Sequence, residues 1–160
     1  MTKTSLRLVL GLTGLAIVLA GCSSSSIKFA PAPVAASFAP SKGGGAVDGL
    51  ISEYASFYDV PEPLVRRVVE KESKFNPAAR NGPYYGLMQI SHATAASMGY
   101  KGPPSGLLDP RTNLTYAVKY LRGAYIVADG DHARAMRLYA SGYYYDAKRK
   151  GVLREVGLGR

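Results

Sequence analysis

Apolar residues recur every three or four positions in several stretches after Ala46, and this spacing predicts helices separated by turns. The first helix is expected from Asp48 to Tyr58. The segment Val60-Pro61-Glu62-Pro63 ends it and opens a second helix, since proline is tolerated in a first helical turn. That second helix is predicted to reach Glu72 or Ser73.

A loop rich in Gly, Pro and Asn follows, from Phe75 to Gly86, and a short Ala-rich helical turn is expected over His92 to Met98. Asp109-Pro110 predicts a helix N-cap with proline at the first helical position, which opens a long amphipathic helix. Asp131 is expected to cap a last helix that ends near Ser141-Gly142. No convincing strand alternation is present, so the sequence predicts a small, mainly α domain.

The first residues have the composition of a secretory signal rather than of a folded element. Lys3 and Arg7 precede an apolar stretch, Leu8 to Ala20, which is too short for a comfortable bilayer span. The stretch ends in Leu19-Ala20-Gly21-Cys22, which resembles the lipobox of bacterial lipoproteins. This resemblance implies that residues 1–21 are removed and that Cys22 is lipidated, with Ser23 at the next position pointing to the outer membrane and a periplasmic location. An ordinary secretory signal whose cleavage site contains Cys is the alternative.

The segment after the lipobox has the composition of a linker. Residues 22–46 contain four consecutive Ser, three separated Pro and three consecutive Gly, and no apolar period holds across them. We therefore expect a flexible tether over 22–46 and one folded domain over 47–160. A chain of 160 residues leaves no room for a second domain of ordinary size.

Composition removes several classes of function. The chain has one Cys and two His, too few for a usual zinc site, so no metal is expected. Neither a Walker-type nor a dinucleotide glycine fingerprint is present, and we expect no cofactor. The chain has a net charge of +9, and removal of residues 1–21 takes away Lys3 and Arg7 and leaves +7. This charge suits an acidic polymer, although a solvated surface without a specific partner explains it equally well. Export from the cytoplasm makes nucleic acid an unnatural partner, which leaves anionic lipid or cell-wall glycan with peptide carboxylates.

Glu72 is the candidate catalytic residue. It continues the helical face formed by Val65, Val68 and Val69. A carboxyl group at the end of an apolar stripe is expected to be partly desolvated, so that it can hold a proton near neutral pH and act as a general acid. The alternative is a helix-end Glu that reaches solvent or pairs with a neighbouring Lys or Arg.

Three ordered blocks of the chain resemble the lytic transglycosylase SLT domain, glycoside hydrolase family twenty-three. Glu72-Ser73-Lys74-Phe75-Asn76-Pro77-Ala78-Ala79 is similar to its E-S-x-F-N-P-x-A signature. Gly86-Leu87-Met88-Gln89-Ile90 with Thr94-Ala95 matches its second block. Asp109-Pro110 with Asn113 and Tyr120-Leu121 matches the third. The resemblance covers roughly Val47 to Gly142.

The resemblance implies a goose-lysozyme-like helical fold, with peptidoglycan glycan strands as the substrate. The implied reaction cleaves the β-1,4 bond between N-acetylmuramic acid and N-acetylglucosamine and leaves a 1,6-anhydro product. Glu72 would then be the single acid and base, where most glycosidases use two carboxyl groups. Asp109 is read as a helix cap and not as a second acid.

The resemblance also implies substrate-binding residues. Ser73 and Gln89 match positions near the sugar cleft, and Gly86 is expected to allow a sugar close to the backbone unless it is a plain turn glycine. Tyr139 matches a tyrosine beside the catalytic Glu, although the usual Asn after it is replaced by Ala140.

Further residues depart from the family pattern or have open roles. Ser91-His92 stands where Met-Pro is commoner. Met88 is read as a core residue. The run Tyr143-Tyr144-Tyr145 could stack on sugars, although packing against the domain is the preferred interpretation.

Two rival functions stay open. A muramidase that uses water would share the fold and Glu72 and yield reducing ends. A non-catalytic wall-binding lipoprotein would keep the cleft without needing an acid. The sequence leaves exo or endo cleavage, stem-peptide preference, protein partners and oligomeric state open.

Overall fold

The computed structural model of the protein describes residues 44–159. The predicted signal peptide, the lipidation site Cys22 and nearly all of the predicted tether lie outside these residues. Within them the chain forms six α-helices, three two-residue strands and one 3-10 helix. The α-helices are α1 (Gly44–Phe57), α2 (Glu62–Ser73), α3 (His92–Ser97), α4 (Pro110–Val127), α5 (His132–Ser141) and α6 (Tyr144–Lys150). The strands are β1 (Arg80–Asn81), β2 (Tyr84–Tyr85) and β3 (Ile90–Ser91), and the 3-10 helix is Pro104–Leu108.

The predicted helices are all present, and the mainly α fold class is confirmed. α1 begins at Gly44, four residues before the expected start at Asp48 and inside the segment that we assigned to the tether. The caps were predicted correctly: Asp109 accepts a hydrogen bond from the backbone N–H of Thr112 at 2.8 Å, and Asp131 accepts one from Arg134. Both caps satisfy a backbone donor that the first helical turn leaves without a partner.

The expectation that the chain contains no strand was wrong. β1, β2 and β3 form an antiparallel sheet in that order, with Arg80 opposite Tyr85, and Tyr84 opposite Ser91. Each strand has two residues, which is too short to show the alternation by which a strand is recognised in sequence. The sheet lies within and just after the predicted loop and leads the chain from α2 to α3.

α4 lies at the centre of the described domain and contacts α1, α3, α5 and α6. Its buried side chains follow the helical period, as do those of α2, and both sets belong to one hydrophobic core. The buried residues of α4 are Asn113, Leu114, Ala117, Val118, Leu121, Gly123, Ala124 and Val127. This packing holds the end of α2 and the end of α5 on a common core.

The sequence did not predict α6, because its seven residues follow a glycine and carry little apolar period. Tyr143, which precedes it, is buried and donates its hydroxyl hydrogen to the carbonyl oxygen of Tyr120 at 2.9 Å. The packing interpretation of the tyrosine run is therefore confirmed for Tyr143. Tyr144 and Tyr145 are exposed and contact each other edge to face.

Candidate active site

An open cleft of about 640 Å³ lies between the end of α2, the small sheet and the end of α5. Of the residues predicted from the sequence to form the site, the structure brings Glu72, Ser73, Gln89 and Tyr139 together along its walls. Gly86 is not among the lining residues. Four of the five predicted positions thus border one cavity, although they come from three separate parts of the chain.

Glu72 lies at the C-terminal end of α2, where the apolar stripe formed by Val65, Val68 and Val69 is buried, as predicted. Its side chain is 26% exposed, so the carboxyl group is partly withdrawn from water but open to the cleft. Lys71 Nζ is 3.9 Å from Glu72 Oε1. Among the described residues that line the cleft, Glu72 is the only carboxylate.

The chain turns sharply directly after Glu72 and Ser73. Lys74 and Phe75 have φ angles of 52° and 62°, in the left-handed region. A residue with a side chain adopts this conformation at a cost of about 1–2 kcal/mol. Two such residues in succession end α2 and hold Glu72 at its last turn, and backbone strain of this kind is commonly found at functional sites.

Tyr139 lies on α5 and is partly buried. Its hydroxyl donates a hydrogen bond to the carbonyl oxygen of Met88 at 2.9 Å. Burial raises the pKa of Tyr139 well above its usual value, and the negative charge of Glu72 and the neighbouring Tyr120 and Tyr143 raise it further. The phenol is therefore a neutral hydrogen-bond donor within electrostatic reach of Glu72.

Gln89 also has a left-handed backbone, with φ 48°. Its side-chain amide donates to the carbonyl oxygens of Ala79 at 3.1 Å and Gly86 at 3.0 Å. Both amide hydrogens are thus used to hold the sheet. Within residues 44–159 the carbonyl oxygen Oε1 receives no hydrogen bond, and it is the acceptor that Gln89 can offer to a ligand.

Ser73 and Gly86 have different surroundings, since Ser73 lines the cleft and Gly86 is buried. Ser73 lines the cleft and donates its hydroxyl hydrogen to the carbonyl oxygen of Val69 at 3.1 Å. Gly86 is buried with φ 70°, and a Cβ there would lie 2.3 Å from Asn113 Nδ2 and 2.5 Å from Leu107 O. The need for glycine at position 86 therefore has a packing cause.

Asn113 holds this region together, a role that the sequence analysis missed. It is fully buried on α4, and its Nδ2 donates to the carbonyl oxygens of Tyr85 and Leu107, each at 2.8 Å. Its Oδ1 accepts from the backbone N–H of Met88 at 3.0 Å. A buried amide with all three groups paired fixes a loop strongly, and its place in the D-P-x-x-N block was the available signal.

Two tyrosines line the cleft that were not predicted as site residues. Tyr84 on β2 is 46% exposed, which leaves an aromatic face open to a ligand. Tyr120 on α4 contacts the ring of Tyr139 at 5.5 Å and that of Tyr143 at 4.7 Å between centroids. Burial raises the pKa of Tyr120. Tyr120 belonged to a matched block, whereas Tyr84 had no signal beyond its residue type.

The departure Ser91-His92 has a structural explanation. Ser91 Oγ accepts a hydrogen bond from the backbone N–H of Thr94 at 3.1 Å and so caps α3. The His92 ring is hydrogen-bonded to the carbonyl oxygen of Gly102 at 3.0 Å. Both residues therefore support the loop architecture. Ala140, in place of the usual Asn, lines the cleft.

Two other kinds of feature, a metal-ligand cluster and a membrane-spanning helix, are absent from the described residues. Between 44 and 159 no three His, Cys, Asp or Glu side chains are placed to share a metal ion. None of the helices in this range has the length and apolar character needed to cross a bilayer.

Comparisons with known proteins agree with the geometry. The family model for the transglycosylase SLT domain matches residues 49–152. Peptidoglycan transglycosylase gp16 of Escherichia phage T7 is 36% identical over 100 residues, which are 59% of this chain and 8% of the phage protein. Membrane-bound lytic murein transglycosylase C of Shigella sonnei is 32% identical over 117 residues, 66% of this chain and 32% of that protein. The chain thus spans less than a third of either relative, and no solved structure gives a significant match.

Proposed function

The chain belongs to the transglycosylase SLT family, and we propose that it is a peptidoglycan lytic transglycosylase. The substrate is the peptidoglycan glycan strand. The bond that is cleaved is the β-1,4 bond between N-acetylmuramic acid and N-acetylglucosamine, and the product carries a 1,6-anhydro ring. One observation carries this proposal: Glu72 is a half-buried carboxyl group in a cleft whose other described lining residues include no second acid. A mechanism that needs one carboxyl group fits this cleft.

Glu72 acts twice in the proposed reaction. Its carboxylic acid first gives its proton to the glycosidic oxygen, so that the bond from this oxygen to C1 of N-acetylmuramic acid breaks. The resulting carboxylate then takes the proton of the 6-hydroxyl of the same sugar, and the 6-oxygen bonds to C1. The proton balance on Glu72 is restored, and no water is consumed.

The neighbours of Glu72 have distinct proposed roles. Tyr139 supplies a neutral phenol close to the carboxylate and fixes Met88. Gln89 Oε1 accepts a hydrogen bond from an acetamido or hydroxyl group of the sugar, and Ser73 borders the same wall. Tyr84 offers a face for a sugar ring, since flat apolar sugar faces pack well on aromatic rings.

The proposed location is the cell envelope. The printed name of the Shigella sonnei relative calls it membrane-bound. We propose that this chain is anchored by lipid on Cys22: two or more acyl chains hold it in the outer membrane, where it faces the periplasm.

The test of the function is product analysis. The purified protein is incubated with peptidoglycan, and the released muropeptides are analysed by mass spectrometry. A lytic transglycosylase yields anhydromuropeptides, which lack one water relative to the reducing products of a hydrolytic muramidase. Reducing ends alone would replace the proposal by hydrolysis, and binding without release would identify a non-catalytic wall-binding protein.

A further inference from the structure

The described residues that line the cleft include more basic than acidic side chains. Lys71, Lys74 and Arg80 all line it together with Glu72. Lys71 is within 3.9 Å of the Glu72 carboxylate, whereas Lys74 and Arg80 are exposed and have no carboxylate within ion-pair distance among residues 44–159. The cleft therefore holds an excess of positive charge that the described protein does not neutralise.

The acidic residues of the domain are mostly engaged elsewhere. Six of them form ion pairs with Lys or Arg away from the cleft: Asp48, Glu53, Asp59, Glu62, Asp129 and Asp146. Asp109 and Asp131 cap helices. Few acidic side chains remain to neutralise the basic residues of the cleft. The positive charge there is therefore a local feature and not only a share of the overall net charge.

The Arg80 guanidinium packs over the Tyr85 ring, a position from which it can bind a planar anion. Its guanidinium carbon lies 4.9 Å from the centre of the Tyr85 ring, and its Nη2 donates to Tyr85 Oη at 3.5 Å. A stacked guanidinium loses less conformational freedom when it binds a carboxylate, which it can do through two parallel hydrogen bonds. Lys74 adds an exposed positive charge from the turn that follows α2.

We propose that Lys74 and Arg80 bind the free carboxylates of the peptide stems, so that the enzyme prefers glycan strands that carry charged stems. This inference rests on the proposed function. A stem is joined to the lactyl group of N-acetylmuramic acid, which is one of the two sugars at the cleaved bond. Its carboxylates therefore reach the rim of a cleft that holds this sugar beside Glu72.

The test uses two matched substrates and the full chain in detergent. One substrate is stem-bearing glycan strands, and the other is the same preparation with its carboxyl groups converted to methylamides. Two exposed charge-assisted contacts are expected to make amidation lower kcat/KM by about 3- to 10-fold in the wild type, mainly through KM. In the double variant Lys74→Gln, Arg80→Gln the ratio between the two substrates should fall to less than about 2-fold.

The matched control is a lysine that lies outside the cleft. Lys101→Gln removes an exposed lysine outside the cleft and should keep the wild-type ratio. Equal cleavage of both substrates by the wild type, or an unchanged ratio in the double variant, would overturn the inference while the proposed function stands. Cleavage of neither substrate would instead count against the proposed function. If the double variant does not fold, the two single variants, each with a smaller change in the ratio, decide the question.

Discussion

Tyr139 on α5 donates its hydroxyl hydrogen to the backbone carbonyl oxygen of Met88 at 2.9 Å. From α4, Asn113 accepts the backbone N–H of the same Met88 at 3.0 Å. Both polar backbone groups of the residue before Gln89 are therefore held by side chains from two packed helices. This arrangement joins the wall of the cleft that carries Gln89 to the wall that carries Tyr139.

The variant Tyr139→Phe tests this link. It leaves the Met88 carbonyl without its donor, and an unsatisfied buried acceptor costs about 1–3 kcal/mol of unfolding free energy. We expect a lower melting temperature together with a lower kcat, because the removed hydroxyl also lies near Glu72. Tyr145→Phe, in which the side chain is 73% exposed, is the matched control and should change neither quantity. Equal melting curves for Tyr139→Phe and the wild type would show that the hydrogen bond contributes nothing.

The variants Gly86→Ala and Gly82→Ala separate backbone conformation from packing. Both glycines have positive φ, 70° and 57°, so each substitution strains the backbone by about 1 kcal/mol. Only at position 86 does the new methyl group meet the Asn113 side chain and the Leu107 carbonyl, whereas nothing lies within 4 Å of a Cβ at position 82. We expect Gly86→Ala to lower the unfolding free energy in urea clearly more than Gly82→Ala. Equal losses would mean that the close approach to Asn113 is relaxed at no cost.

Helices and caps can be predicted from periodic and local patterns in the sequence, whereas features formed by contacts between separate segments cannot. The stripe Val65, Val68 and Val69 and the caps Asp109 and Asp131 are local signals, and they placed the helices correctly. The two-residue strands depend on pairing between segments, so no periodicity reveals them.

The same contrast holds within the site. Glu72, Ser73, Gln89 and Tyr139 were found through matching blocks, and the structure brings them to one cleft. Asn113 was quoted in a block without its role, because its three hydrogen bonds reach residues that are between 6 and 28 positions away. The positive charge around the cleft could likewise not be predicted, because the net charge of the chain does not indicate where the basic residues lie.

The buried tyrosines predict a loss of stability in alkaline solution. Burial raises the pKa of Tyr143, as it does that of Tyr139, whereas both phenols ionise near pH 10 once the chain unfolds. Their contribution to the free energy of unfolding is therefore complete below about pH 10. It is lost as the pH rises from there towards the folded-state pKa, because the unfolded state then binds fewer protons than the folded state. Urea unfolding at increasing pH should show this decline. Tyr143→Phe should decline less steeply, and an identical slope would contradict the assignment.

The variant Cys22→Ser tests the proposed anchor. Cys22 is the only cysteine of the chain and ends the apolar stretch of the predicted signal. Without the thiol no lipid can be attached, so the protein should move from the membrane fraction to the soluble fraction after cell disruption. Ser23→Ala leaves the thiol in place and should stay with the membranes. Persistent membrane association of Cys22→Ser would exclude a lipid on Cys22 as the main anchor.

The variant Glu72→Gln is the most direct test of the chemistry. Gln has nearly the same shape and keeps hydrogen-bonding capacity, but it can neither give a proton to the leaving oxygen nor take one from the 6-hydroxyl. General acid or base assistance contributes about 10²–10⁴-fold, and one group does both tasks here, so anhydromuropeptide release should fall by at least that factor. The matched control is Glu70→Gln, two positions earlier on α2, where the side chain is exposed and does not line the cleft. Both variants should keep the helical circular dichroism spectrum. If Glu72→Gln retains most of its activity while folded, Glu72 is not the acid and base.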